Sequence, residues 1–147
     1  MDDRGGPPAT GQLVLALDPA GFGHARFGER IGAICATTTD VAATAEASRD
    51  WWPLAMHWSL AGQVLQRAAL VARPTATAQV AAVVAMCNDA GVPITAAGGR
   101  SGVLGASIPL FGGVLPDLTA MQGIVAVDTT SGVVEALGDA GGLGQGE

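Results

Sequence analysis

Ala69-Leu-Val-Ala-Arg-Pro74, Thr77-Ala-Gln-Val-Ala-Ala-Val-Val-Ala-Met-Cys-Asn-Asp-Ala-Gly91 and Val92-Pro-Ile-Thr-Ala-Ala-Gly-Gly-Arg-Ser-Gly102 follow one another in the middle of this chain. The first piece is a short apolar run of β type, stopped by Pro74, which cannot donate to a ladder. In the second, Val80, Val83, Val84 and Cys87 recur at i, i+3, i+4 and i+7, the spacing of one apolar helix face. Thr77 is suited to the N-cap and Gly91 to a left-handed C-cap. The third piece, Val92 to Ala96, is again strand-like. Together they predict a β-α-β unit with short connections, two parallel strands and a right-handed crossover.

The second strand runs straight into Gly98-Gly-Arg-Ser-Gly102. Glycines let backbone N–H groups approach a ligand, and successive amides in such a turn form a concave anion site. A phosphate or diphosphate suits that device, with the Ser101 hydroxyl as an added donor. The turn is not a P-loop, because no Lys-Ser/Thr pair follows it. Nor is it the dinucleotide fingerprint, because no amphipathic helix opens after it. On spacing alone, a glycine-rich loop that only turns the chain remains an equal alternative.

Outward from this core the signals are weaker. Residues 1–11 read as a disordered leader, Leu13 to Leu17 as a short apolar run, and 18–30 as loop. Ile31 to Cys35 suits a strand or the start of a helix, and Thr37-Thr-Thr-Asp40 suits the start of a helix over Val41 to Arg49. Asp50-Trp51-Trp52-Pro53 punctuates the chain before Leu54 to Trp58. After the glycine turn, Gly112–Leu115, Gly123–Val127 and Val133–Leu137 read as mostly antiparallel strands, with Pro116 marking an edge or a bulge. The expected class is α/β (α+β).

The chain has 147 residues, 49% of them hydrophobic, which is enough for one domain with a real core. Its net charge of −6 argues against nucleic acid as a partner, since no basic patch is available for a strand of phosphates. Cys35 and Cys87 fit neither a disulfide framework nor a zinc spacing. No run reaches the ~18 apolar residues of a membrane span, and no signal-peptide pattern opens the chain. The expectation is a cytoplasmic protein without a membrane span.

No metal-ligand cluster or Ser-His-Asp arrangement is visible, and no catalytic residue is assigned. His24 reads as a loop histidine and His57 as a packed or partly exposed one. Trp51 and Trp52 read as packing anchors, and Asp117 and Asp128 as turn residues.

The ordered string Arg73-Pro74-Thr-x-Thr-x-x-Val80, a helix, Gly91-Val-Pro93-Ile-Thr and Gly98-Gly-Arg-Ser-Gly102 resembles the FAD-binding domain of FAD-linked oxidases. That is the fold shared by vanillyl-alcohol oxidase and p-cresol methylhydroxylase (PCMH). The branches nearest in look are glycolate or D-lactate dehydrogenase-like and alkyldihydroxyacetonephosphate synthase-like. Asp50-Trp51-Trp52-Pro53 and Phe111-Gly-Gly-Val-x-x-Asp117-Leu-Thr-x-Met121 share the likeness, which spans about residues 48–137.

The resemblance implies a division into a leader and helical/loop region (1–47), the first subdomain of a PCMH-type domain (48–137) and a disordered glycine-rich tail (138–147). It implies FAD as cofactor, its diphosphate held by backbone amides of Ala96, Ala97, Gly98, Gly99, Arg100, Ser101, Gly102 and Val103. Pro74 stands at the mouth of that site. Family members often carry Pro where Ala96 stands and Gly where Arg100 stands. Arg100 therefore has two open roles, a charge on the diphosphate or a side chain in solvent. Where some relatives attach FAD to a histidine, this chain has Val103 and Leu104, so non-covalent FAD is expected.

The implied activity is that of a flavin-dependent oxidoreductase, with a 2-hydroxy acid as candidate substrate. The family's second FAD subdomain and substrate cap have no counterpart in the matched stretch. The chain is accordingly expected to be catalytically incomplete and to bind FAD weakly or not at all alone. It would meet a small-molecule substrate only once completed by a C-terminal part, and an exposed sheet edge could drive association. Two alternatives stand beside this: a split-gene or truncated product completed by a partner chain, and a phosphate- or nucleotide-binding module without a redox role.

Overall fold

A computed structural model describes residues 24–138. The expected leader, the Leu13–Leu17 run and all but the first residue of the glycine-rich tail lie outside the described residues. The elements are α1 (His24–Gly32), β1 (Ala36–Thr38), α2 (Val41–Ala47), α3 (Pro53–Leu60), β2 (Leu70–Arg73) and α4 (Thr77–Ala90). They continue with β3 (Val114–Pro116), β4 (Ile124–Asp128) and β5 (Val133–Ala136). The expected mixed class with antiparallel additions is the one found.

The first sheet has the order β1-β2-β3. β1 is antiparallel to β2, with Thr37 opposite Ala72, and β2 is parallel to β3, with Val71 opposite Leu115. Segment 94–97 continues this sheet beyond β3 through two parallel bridges, Ile94 to Val114 and Ala97 to Asp117. The two ends of the β-α-β unit therefore run parallel, as expected, but β3 lies between them. β4 and β5 form a separate antiparallel hairpin, with Val127 opposite Val134.

Alternation along β2 and β3 decides the packing, since successive side chains of a strand face opposite ways. Leu70, Ala72 and Val114 face Ile31, Cys35, Val83 and Cys87, with Phe27, Ile34, Met86 and Val92 around them. Val71 and Leu115 face Ala47, Ala68 and Ala97. The two thiols are free and buried, and burial pushes both above the ordinary cysteine value. A backbone hydrogen bond at Arg73 partly offsets this for Cys35.

Several local expectations change. Residues 24–30 are helix, not loop. Phe27 and Ile31, one turn apart, join the core, and Gly28 is where α1 lies against β2: a Cβ there would meet Leu70 Cδ1 at 3.3 Å. The N-cap of α4 is Ala76, with Thr77 the first helical residue. No side chain caps it; Gln79 instead ties down the segment before the helix, its Oε1 accepting from the Thr75 amide at 2.7 Å and its Nε2 donating to the Ile34 carbonyl at 2.8 Å. Gly91 is the left-handed C-cap, φ 64°. Val83 and Cys87 are the buried residues of α4, while Val84, off their line, is exposed.

Pro116 is not on an edge; it closes β3 inside the sheet and is fully buried. The Asp117 amide donates to Ala72 of β2, and the Val114 amide donates the other way, to Pro93. By alternation, the absent Pro116 donor belongs to the irregular 94–97 side, where pairing is already sparse. Gly113 makes that side possible: its φ is +72°, and a Cβ on it would lie 2.0 Å from the Pro93 carbonyl oxygen.

Candidate functional site

β2, β3 and segment 94–97 run the same way, so their C-terminal ends share one edge of the sheet. Pro74 follows β2, Asp117 follows β3, and Gly98 follows Ala97. In sheets of parallel strands, ligands sit beyond this edge.

Ala97 is buried, its amide donating to the Pro116 carbonyl at 2.9 Å and its carbonyl accepting from the Leu118 amide at 2.7 Å. These bonds fix the point from which the glycine turn leaves the sheet. From Gly98 through Leu104 the regime changes. None of those seven amides donates a hydrogen bond among the described residues. Gly99, Ser101, Gly102, Val103 and Leu104 are exposed, and Gly98 and Arg100 half-buried. Arg100 has φ +52°, the only positive φ among the described non-glycine residues. A left-handed residue within a turn is the kind of backbone in which successive N–H groups can converge on an anion. A run of unpaired amides on a surface turn suits an anionic ligand, and the residues present fit a diphosphate.

Arg100 makes no ion pair among the described residues, and the Ser101 hydroxyl has no protein partner there. Asp117 is buried and turned inward. Its Oδ1 accepts from the Thr119 amide at 3.2 Å and hydroxyl at 2.7 Å, and its Oδ2 lies 3.8 Å from Arg73 Nε. That is turn chemistry beside the site. Pro74 is fully buried at the end of β2. Ala96 is exposed, immediately before the anchored Ala97.

The turn is fastened at its far end by a segment that sequence reasoning did not place in the site. The Trp51 amide donates to the Gly102 carbonyl at 2.9 Å, and the Gly105 amide donates to Asp50 Oδ2 at 2.9 Å. Trp52 packs edge-on against Trp58 at 5.6 Å between ring centroids, as a packing anchor, whereas Trp51 is exposed. His57 is exposed on α3, and His24 opens α1. No local pattern ties Asp50 to a loop some fifty residues later; its only sequence signal is a carboxylate beside two tryptophans.

Comparison with known proteins bears on this edge. Residues 68–138 match the family described as FAD binding domain. The D-lactate dehydrogenase of Anaerostipes hadrus is 38% identical over 69 residues, which is 47% of this chain and 14% of that protein. The chain thus spans only a small part of the curated relative it matches. A solved alkyldihydroxyacetonephosphate synthase superimposes with a TM-score of 0.65 at 22% identity, covering 72% of this chain and 22% of that one. A substrate-bound p-cresol methylhydroxylase superimposes with a TM-score of 0.55 at 19% identity, covering 71% and 20%. At such identities the superpositions establish the fold. Among the described residues, no helix is long and apolar enough to cross a membrane. Residues 68–138 are thus similar to the FAD binding domain family, and the superpositions give the chain the same fold as the two solved enzymes.

Proposed function

We propose that this chain supplies the diphosphate-binding part of a flavin-dependent oxidoreductase acting on a 2-hydroxy acid, with FAD held non-covalently. The observation that carries the reading is the run of seven unpaired amides, Gly98 to Leu104, at the C-terminal edge of the parallel strands. These amides would hold the diphosphate, with Ser101 adding a hydroxyl and Arg100 a positive charge. Ala96 and Ala97 lead into the turn, Val103 lies within it, and Pro74 stands at the same edge. FAD, when bound, supplies the hydride-accepting ring. The residues of this chain bind and orient; none of those named here is assigned a proton transfer.

The 2-hydroxy acid rests on the likeness to D-lactate dehydrogenase. Non-covalent attachment rests on Val103 and Leu104, which have no nucleophile to offer. Two buried free thiols suit a reducing, cytoplasmic setting. Turnover is assigned to the complete protein or complex, and the exposed β4–β5 hairpin is a candidate surface for association.

The test is a titration of the 15N-labelled chain with FAD, a readout that works for weak binding. Shifts should concentrate at 98–104 and should be reduced by competing inorganic pyrophosphate. Acid precipitation should leave the flavin in the supernatant. Shifts spread evenly, or none at millimolar FAD, would overturn the reading. Equal binding of ADP and FAD would favour the nucleotide-binding alternative.

A further inference from the structure

We infer that Asp50 is a positioning residue for the diphosphate turn, holding Gly98–Gly105 in its ligand-ready shape before any ligand arrives. The inference rests on the reading of Gly98–Leu104 as the diphosphate cradle.

Asp50 is 2% exposed. Both of its oxygens are occupied by backbone donors, Oδ1 by the Trp52 amide at 3.0 Å and Oδ2 by the Gly105 amide at 2.9 Å. Between these bonds the Trp51 amide donates to the Gly102 carbonyl at 2.9 Å. Residues 50–52 and 102–105 are therefore bound at two places, one through a charged acceptor, the stronger kind of hydrogen bond. The clamp is tight in a second sense. A Cβ on Gly105, φ +78°, would lie 3.2 Å from Trp52 Cε3 and 3.3 Å from Ile108 Cδ1.

A carboxylate beside an anion site repels the anion, so attraction cannot be its purpose. Its contribution is order. The turn contains three glycines between Ala97 and Val103, and an unrestrained segment of that composition has large conformational freedom to lose on binding. With Ala97 bonded into the sheet at one end and Gly102 and Gly105 bonded to residues 50–52 at the other, that entropy is lost at folding. Binding then proceeds on a preorganised loop.

Asp50→Asn separates this role from bulk stability. The asparagine keeps the shape but has one acceptor oxygen and one NH2, and the NH2 must face an N–H donor. 15N relaxation on the full 147-residue chain without FAD should show wild-type amides 98–105 as rigid as the core, with order parameters of about 0.85. In Asp50→Asn they should fall toward about 0.6 while β2, β3 and α4 stay unchanged. The FAD dissociation constant should rise at least about tenfold, despite the loss of a repelling charge. An unchanged loop in the variant, unchanged or tighter FAD binding, or a wild-type loop already flexible would overturn the inference. The last measurement needs no variant and stands even if Asp50→Asn fails to fold. Absence of FAD binding by wild type would count against the diphosphate reading instead, and the loop dynamics would still judge the clamp.

Discussion

The β1-β2-β3 sheet and the β4–β5 hairpin are built from the same kinds of residue, yet they differ in nearly every physical respect. Val71, Leu115 and Val114 of the sheet are 0–2% exposed, covered by helices on one face and by small-residue segments on the other. Val125, Val127, Val133 and Val134 of the hairpin are all more than half exposed. β-propensity and alternation are alike in both, so neither decides burial. What decides it is whether another element of the chain lies against the strand. The sheet has α1, α2 and α4; every residue of β4 and β5 is exposed. Substitutions should therefore have consequences set by place and not by residue type.

Two left-handed glycines give the sharpest contrast. Gly113 and Gly132 have φ of +72° and +69°. At Gly113 an added Cβ would lie 2.0 Å from the Pro93 carbonyl oxygen; at Gly132 it would meet nothing within 4 Å. Gly113→Ala must displace backbone and should cost more than about 4 kcal/mol, the range of severe core lesions. Denaturant unfolding should show little folded protein. A midpoint near wild type would show that β3 and segment 93–97 can separate cheaply, and would undo the account of the sheet.

The next contrast uses side chains. Leu115→Ala, in the interior strand, should lose about 2–5 kcal/mol of unfolding free energy. Val134→Ala, in the exposed hairpin, should stay within about 0.5 kcal/mol. Equal losses would mean the hairpin is covered in solution. Gly132→Ala lies between these: it meets only the intrinsic cost of a left-handed non-glycine residue, about 1–2 kcal/mol. A cost matching that of Gly113→Ala would show that conformation alone, without collision, explains both.

The same distinction separates what was legible in the sequence from what was not. β2, α4 and the Gly91 cap were readable because their signals are local: an apolar run, a helical stripe, a glycine at the stop. The glycine turn was readable because glycine chemistry announces itself. The placement of β3 between β2 and segment 94–97 was not, since its pairing joins Leu70 to Val114 across more than forty residues and leaves no mark near either. Helix α1 was hidden by Gly28, which reads as a loop residue until β2 is seen packed against it. Asp50 was hidden likewise: the sequence shows a carboxylate beside two tryptophans, and only the fold brings it to Gly105.

The smallest expected effect lies at the hairpin turn. Asp128 accepts hydrogen bonds from the Ser131 hydroxyl, the Thr130 amide at 2.9 Å and the Ser131 amide. These bonds favour the carboxylate, the Ser131 hydroxyl most, and hold its pKa below the ordinary value of 3.8. A group whose pKa is lowered by folding adds stability above its unfolded pKa, and that stability is lost as pH falls through the folded value. The turn should therefore be intact at pH 5 and loosen only below 3.8. Because the carboxylate is fully exposed, the change should be confined to the turn. Following the Thr130 and Ser131 amide shifts from pH 6 to pH 2 should give a midpoint below 3.8, and Asp128→Asn should remove the titration while leaving the β2 and β3 amides untouched. A midpoint at or above 3.8 would mean that the turn bonds do not persist in water, and that the hairpin is held by its ladder alone.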